Sequence, residues 1–143
     1  MYRLAGSCHC GNIRITVDLS HLPSTYSPRA CDCDFCREHG AAYISDPNGA
    51  LQLEIQNTQL IQKRRQGNNI ADFLFCSQCS VLLGVIYQEN AHLYASINSA
   101  VLLNPEGFGE IKTASPKQLT ASEKIVRWKA LWFSNVAIIT HKT

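Results

Sequence analysis

Seven cysteines stand as Cys8-x-Cys10, Cys31-x-Cys33-x-x-Cys36 and Cys76-x-x-Cys79, two pairs and a triplet. Thiols spaced this closely either form disulfides or hold a metal, and both outcomes pin distant parts of a chain together. An odd count fits a disulfide framework poorly, whereas CxC and CxxC spacings are those of thiolate metal sites. Zinc is the expected ion. It takes four sulfur ligands in a closed structural site, and three protein ligands where one position stays open for water or substrate. The inventory divides into one site of each kind, and so points to a zinc enzyme with two zinc ions per chain.

The rest of the composition is compatible with that reading. At 143 residues, 45% hydrophobic and 17% charged, the chain has the size and balance of one globular domain. A formal net charge of +2 carries no signal for nucleic acid. Met1 to Ser7 shows no basic stretch followed by an apolar one, and no run approaches the roughly 18 apolar residues of a membrane span. The expected location is the cytoplasm, where reducing conditions favour metal ligation over disulfides.

Strict alternation from Asn12 to Leu19 puts Ile13, Ile15, Val17 and Leu19 on one face of a half-buried strand. Leu51, Leu53 and Ile55 repeat the pattern after a turn at Asp46-Pro47-Asn48-Gly49. Further strand-like runs are Ala41 to Ser45, Asp72 to Phe75, Leu82 to Tyr87 and His92 to Ile97. Together they predict a mainly β, antiparallel domain. Near the end, Thr120-Ala121-Ser122-Glu123 reads as a capping box, followed at helical spacing by Ile125, Trp128, Leu131 and Trp132. One C-terminal amphipathic helix is expected, with its tryptophans packed on the sheet rather than lining a pocket.

In a strand, residues two apart share a face, so Cys8 and Cys10 would point one way and His9 the other. Joined with the Cys76-Ser77-Gln78-Cys79 knuckle, they make a closed tetrahedral site that staples two hairpins. Cys31, Cys33 and Cys36 pack three ligands into six residues, and reach one ion if a strand turns at once into a helix capped by Asp34. Spacing alone leaves a second partition open, with Cys8, Cys10, Cys31 and Cys33 on one ion. His39 is a candidate fourth ligand or proton carrier beside the triplet, and otherwise an ordinary exposed histidine. Arg37 beside the triplet and the run Lys63-Arg64-Arg65 are basic candidates for meeting an anionic group, although basic runs are usually just solvated. His9, His21, His92 and His141 read as surface or loop residues.

Gly6-Ser7-Cys8-His9-Cys10-Gly11, then CxCxxCR at Cys31 to Arg37 with Gly40 beyond, then Phe75-Cys76-Ser77-Gln78-Cys79 with Gly84 beyond, form an ordered set of motifs. In these the chain resembles the glutathione-dependent formaldehyde-activating enzyme (GFA) family, which includes centromere-protein-V-like domains. The resemblance runs from about Leu4 to Ser99. It implies a β-tent fold of antiparallel sheets stapled by zinc, with a short helix after the triplet. It also implies Cys8, Cys10, Cys76 and Cys79 as structural zinc ligands and Cys31, Cys33 and Cys36 as catalytic zinc ligands. The implied activity is that of a carbon–sulfur lyase joining glutathione and formaldehyde into S-hydroxymethylglutathione. Asp32 stands where the family often carries a histidine, and the spacer from Cys36 to Gly40 is shorter than the family's.

The expected organisation is a zinc-binding β domain over residues 1–112 with a C-terminal loop and helix, 113–143, packed on it. Two other functions fit the same cysteines. One is a zinc hydrolase acting on a small imine or ester, and the other is a non-catalytic, zinc-stapled binding module.

Overall fold

The computed structural model describes residues 1–31, 40–65, 70–103, 107–114 and 119–141. Among these are eleven strands: β1 (Tyr2–Ser7), β2 (Ile13–Leu19), β3 (Arg29–Cys31), β4 (Ala42–Ile44), β5 (Ala50–Ile55), β6 (Ile61–Arg65), β7 (Asp72–Cys76), β8 (Leu82–Glu89), β9 (His92–Asn98), β10 (Lys112–Ala114) and β11 (Val136–Thr140). One α-helix, α1 (Ala121–Leu131), is described with them. The strands form a four-stranded sheet, β1-β2-β5-β11, and a seven-stranded sheet, β10-β3-β4-β9-β8-β7-β6. Pairing is antiparallel, as expected, except at two edges where β10 joins β3 and β11 joins β5 in parallel. No helix among the described residues is long and apolar enough to cross a membrane.

Alternation decides which way each strand faces. Ile13, Ile15, Val17 and Leu19 of β2 are at most 1% exposed. With Leu51, Leu53 and Ile55 of β5 they pack against Ile44, Leu74, Leu83 and Ile97 of the larger sheet. Fully burying each such side chain stabilises the fold by about 1.5–3 kcal/mol, so this inter-sheet layer is the main core. The opposite face of the seven-stranded sheet is buried too. Tyr43, Phe75, Leu82 and Val85 lie there beneath Trp128 and Trp132. Strand β8 is therefore covered on both sides, and its residues Leu82 to Ile86 are buried without alternation.

The helix starts where its cap predicts. The Glu123 N–H donates to Thr120 Oγ1 at 3.2 Å, and the Thr120 N–H donates to Glu123 Oε1 at 2.9 Å, a reciprocal capping box. The Trp128 and Trp132 rings stack at 4.7 Å between centroids, and Trp128 meets Tyr87 at 5.5 Å. Packing on the sheet is thus the role of both tryptophans. Leu131, assigned to the same apolar face, is instead exposed, because the helix ends there and the chain turns extended at Trp132. Phe133 follows, fully buried and bonded through its backbone in both directions to Ala95 of β9. Strand β11 then pairs with β5 in the other sheet. The C-terminal segment, expected as loop and helix alone, ties the two sheets together.

A buried carboxylate organises the loop side of this frame. Asp46 Oδ2 accepts from the Ser20 N–H at 2.8 Å, the Ser20 hydroxyl at 2.6 Å and the Tyr26 hydroxyl at 2.6 Å, while Oδ1 accepts from the Asn48 N–H at 2.9 Å. Burial works against its charge, but these hydrogen bonds outweigh burial and lower its pKa from 3.8 to about 2. A carboxylate depressed in the folded state contributes stability that is present above its unfolded pKa and is lost as pH falls through the folded value. Asp46→Asn is therefore expected to lose about 2 kcal/mol at neutral pH. In denaturant titrations from pH 7 to pH 2, the gap between the two proteins should narrow below about pH 4. A gap that stays constant to pH 2 would remove the assigned role.

Candidate metal centre

Two tight turns from distant parts of the chain build the centre. Strand β1 ends at Ser7, and Cys8 to Gly11 form a turn in which the Gly11 N–H donates to the Cys8 carbonyl at 3.1 Å. Gly11 sits at φ +78°, where a side chain would be strained. The preceding Gly6 is needed for a different reason. A Cβ there would lie 2.3 Å from the Val101 carbonyl oxygen, where the chain at Leu102 bridges β1. At the other turn, Cys76 ends β7 and the Ser80 N–H donates to the Cys76 carbonyl at 2.7 Å. Ser80 takes the left-handed conformation that Gly11 takes in the first turn. The Cys8 and Cys76 N–H groups each bond a carbonyl five residues on, at Ile13 and Val81.

The turn corrects the strand reading of Cys8-His9-Cys10. A flat strand would send the backbone N–H groups sideways into the sheet. The turn aims those of His9 and Cys10 at the Cys79 sulfur instead. The side chains also separate by burial, with Cys8 2% exposed, Cys76 fully buried, Cys79 intermediate and Cys10 exposed.

The four sulfurs converge. Cys8 and Cys10 Sγ are 3.6 Å apart, Cys10 and Cys76 Sγ are 3.5 Å apart, and all four lie within 4.8 Å of one another. A disulfide would need about 2.05 Å. Tetrahedral zinc with bonds of about 2.3 Å puts sulfurs about 3.8 Å apart, close to the spacing seen here. These residues can hold a metal ion, and the donor set suits zinc.

Protonation is uneven across the cluster. Burial pushes the Cys76 thiol up to about 12 and raises Cys8. Cys79 moves down to about 6: burial opposes its charge, but the Cys10 N–H, the Cys76 thiol and the Val81 and His9 N–H groups all favour the thiolate. The N–H groups aimed at Cys79 thus favour its thiolate, the form in which a cation is ligated.

The remaining candidates are spread elsewhere. Cys31 is the last residue of β3, whereas Cys33, Cys36, Arg37, His39 and the expected helix after the triplet lie outside the described residues. Lys63, Arg64 and Arg65 sit exposed on β6, the outermost strand of the larger sheet. There the Arg65 Nε donates to Asp72 Oδ1 at 2.9 Å, and the Arg64 guanidinium lies 5.3 Å from the Phe75 ring centroid. His9, His21, His92 and His141 are all exposed. Sequence reasoning passed over Arg29, two positions before Cys31, whose Nη2 donates to Ser45 Oγ at 2.6 Å.

With this geometry in hand, the comparison with known proteins decides the family. The family model described as glutathione-dependent formaldehyde-activating enzyme matches residues 3–115. The chain belongs to the GFA family. A Halomonas elongata protein named "Putative glutathione-dependent formaldehyde-activating enzyme" is 30% identical over 112 residues, covering 71% of this chain and 69% of its own. A crystal structure of a Rhodobacter sphaeroides protein matches with a TM-score of 0.59 at 27% identity, covering 77% of this chain and 99% of that one. The GFA match contains all seven cysteines, while α1 and β11 lie beyond it.

Proposed function

We propose that this chain is a zinc-dependent carbon–sulfur lyase that reversibly joins glutathione to formaldehyde or another small aldehyde. In this reading Cys8, Cys10, Cys76 and Cys79 hold a closed structural zinc, and Cys31, Cys33 and Cys36 hold a second, catalytic zinc with one open position. The observation that carries it is the cluster itself: within the GFA segment, four cysteines complete a tetrahedral set and leave the triplet over. The name of the Halomonas relative supports the same activity.

Bound at the triplet, zinc supplies a Lewis acid that can take a thiolate sulfur or a carbonyl oxygen in its fourth position. The chain supplies the rest. Strand β3 is paired on one side to β4 and on the other to β10, so the backbone that presents Cys31 is fixed by the sheet. The reaction forms one C–S bond, opens the carbonyl π bond and moves the thiol proton to oxygen. A thiol of pKa about 8.5 is only a few per cent thiolate at pH 7, so a proton acceptor near sulfur matters, and His39 is the candidate. Holding thiol and aldehyde side by side provides most of the acceleration, because thiol addition to formaldehyde is already easy in water.

NMR exchange spectroscopy on a formaldehyde and glutathione mixture tests this directly. Zinc-loaded protein is expected to accelerate interconversion of free and adducted glutathione. An unchanged rate removes the proposed activity.

A further inference from the structure

Among the described residues the two sheets end in four strand edges, and three of them are guarded. Strand β6 carries Lys63, Arg64 and Arg65, and β10 carries Lys112. Strand β1 carries Arg3 and is bridged near its end by the chain at Leu102 and Leu103. The fourth edge is β11, Val136-Ala137-Ile138-Ile139-Thr140, which has neither a charge nor a proline. Charged side chains and proline are the usual means of keeping an open edge from pairing with another chain.

The hydrogen bonds flanking β11 show which of its backbone groups are left over. The Leu51 N–H donates to the Asn135 carbonyl at 2.9 Å, and the His141 N–H donates to the Ile55 carbonyl at 3.1 Å. Pairing between these ends is parallel, so the odd-numbered residues bond β5. Val136, Ile138 and Thr140 therefore turn their N–H and C=O groups outward, and no described strand lies beyond them. The side chains add apolar surface on both faces. Ile138, in register with Leu53 of the core, is still 37% exposed, and Ile139, in register with Glu54, is 39% exposed.

A two-fold axis sets an edge against its own copy, so a charged edge repels itself and a neutral apolar edge does not. We propose that β11 pairs antiparallel with β11 of a second copy of this chain about a two-fold axis at Ile138, joining the two four-stranded sheets into one. Val136 then exchanges backbone hydrogen bonds with the partner's Thr140, and Ile138 with its own counterpart, so each outward N–H and C=O of β11 is satisfied. Ile138 also packs against its counterpart on one face, and Ile139 lies opposite the partner's Ala137 on the other. Strand β11 lies beyond residues 3–115, so this interface belongs to the C-terminal segment of this chain and is independent of the lyase reading.

A five-residue edge is small beside the roughly 800 Å² per partner of a standard interface, so the dimer should be weak. Sedimentation velocity on the zinc-loaded chain, from about 1 μM to about 500 μM, should show a monomer giving way to a dimer and to nothing larger. Amide exchange followed by NMR over the same range identifies the surface. The Val136, Ile138 and Thr140 N–H groups should slow in step with the dimer, while those of Ala137 and Ile139, already bonded to β5, should not change. Ile138→Lys and Ile138→Glu should each weaken self-association about tenfold or more, and an equal mixture should restore it, because the axis sets the unlike charges opposite one another. A wild-type monomer at every concentration, assembly beyond the dimer, or a dimer in which those three N–H groups exchange as before would each overturn the proposal. So would a mixture of the two folded variants that stays monomeric; if either variant fails to fold, the wild-type exchange pattern decides.

Discussion

Cys76→Ser is expected to leave the chain unfolded at room temperature even in the presence of zinc. Cys76 closes β7, is fully buried, and holds its sulfur 3.5 Å from Cys10 in a turn far away in sequence. Structural zinc sites contribute on the order of 10 kcal/mol to folding, comparable to the whole stability of a domain this size. In the proposed closed site, losing one of four ligands would also weaken the hold of the other three on the ion. By contrast, a core truncation such as Leu83→Ala should cost about 2–5 kcal/mol and leave a folded protein. Circular dichroism with metal analysis checks both. A Cys76→Ser protein with native sheet content and a cooperative melt would show that the cluster does not hold the fold.

Cys36→Ser is expected to behave in the opposite way. The proposed catalytic ligands sit in one short segment, so removing one breaks no link between distant elements. The variant should keep its melting transition and about one zinc per chain, while its acceleration of formaldehyde–glutathione exchange falls to background. If it unfolds as badly as Cys76→Ser, the triplet is a second structural staple and the open-site reading fails.

What could be read in advance follows from local physics. Strands β2, β5, β7, β8 and β9 and the short β4 carry dense apolar or alternating residues because their inward faces meet a core, and α1 carries its cap in Thr120 and Glu123. Pairing of the CxC with the CxxC was legible because counting and tetrahedral coordination leave few choices. Strands β1, β6 and β11 lie at sheet edges with mostly exposed side chains, so no alternation marks them. The Cys8 to Gly11 turn was hidden because a CxC fits a strand and a turn equally well until the position of the second knuckle is known. Only the path of the chain after α1, fixed by Phe133 between the sheets, brings that helix over the larger sheet.

The most direct test of the central claim, two metal sites of unlike character, is a graded chelator titration followed by native mass spectrometry, with exchange activity and circular dichroism on the same samples. The account predicts two steps. One zinc leaves first, taking the activity and leaving the fold, and the second leaves at higher chelator with loss of the sheets. A single zinc per chain, or two that leave together with the fold, would contradict it.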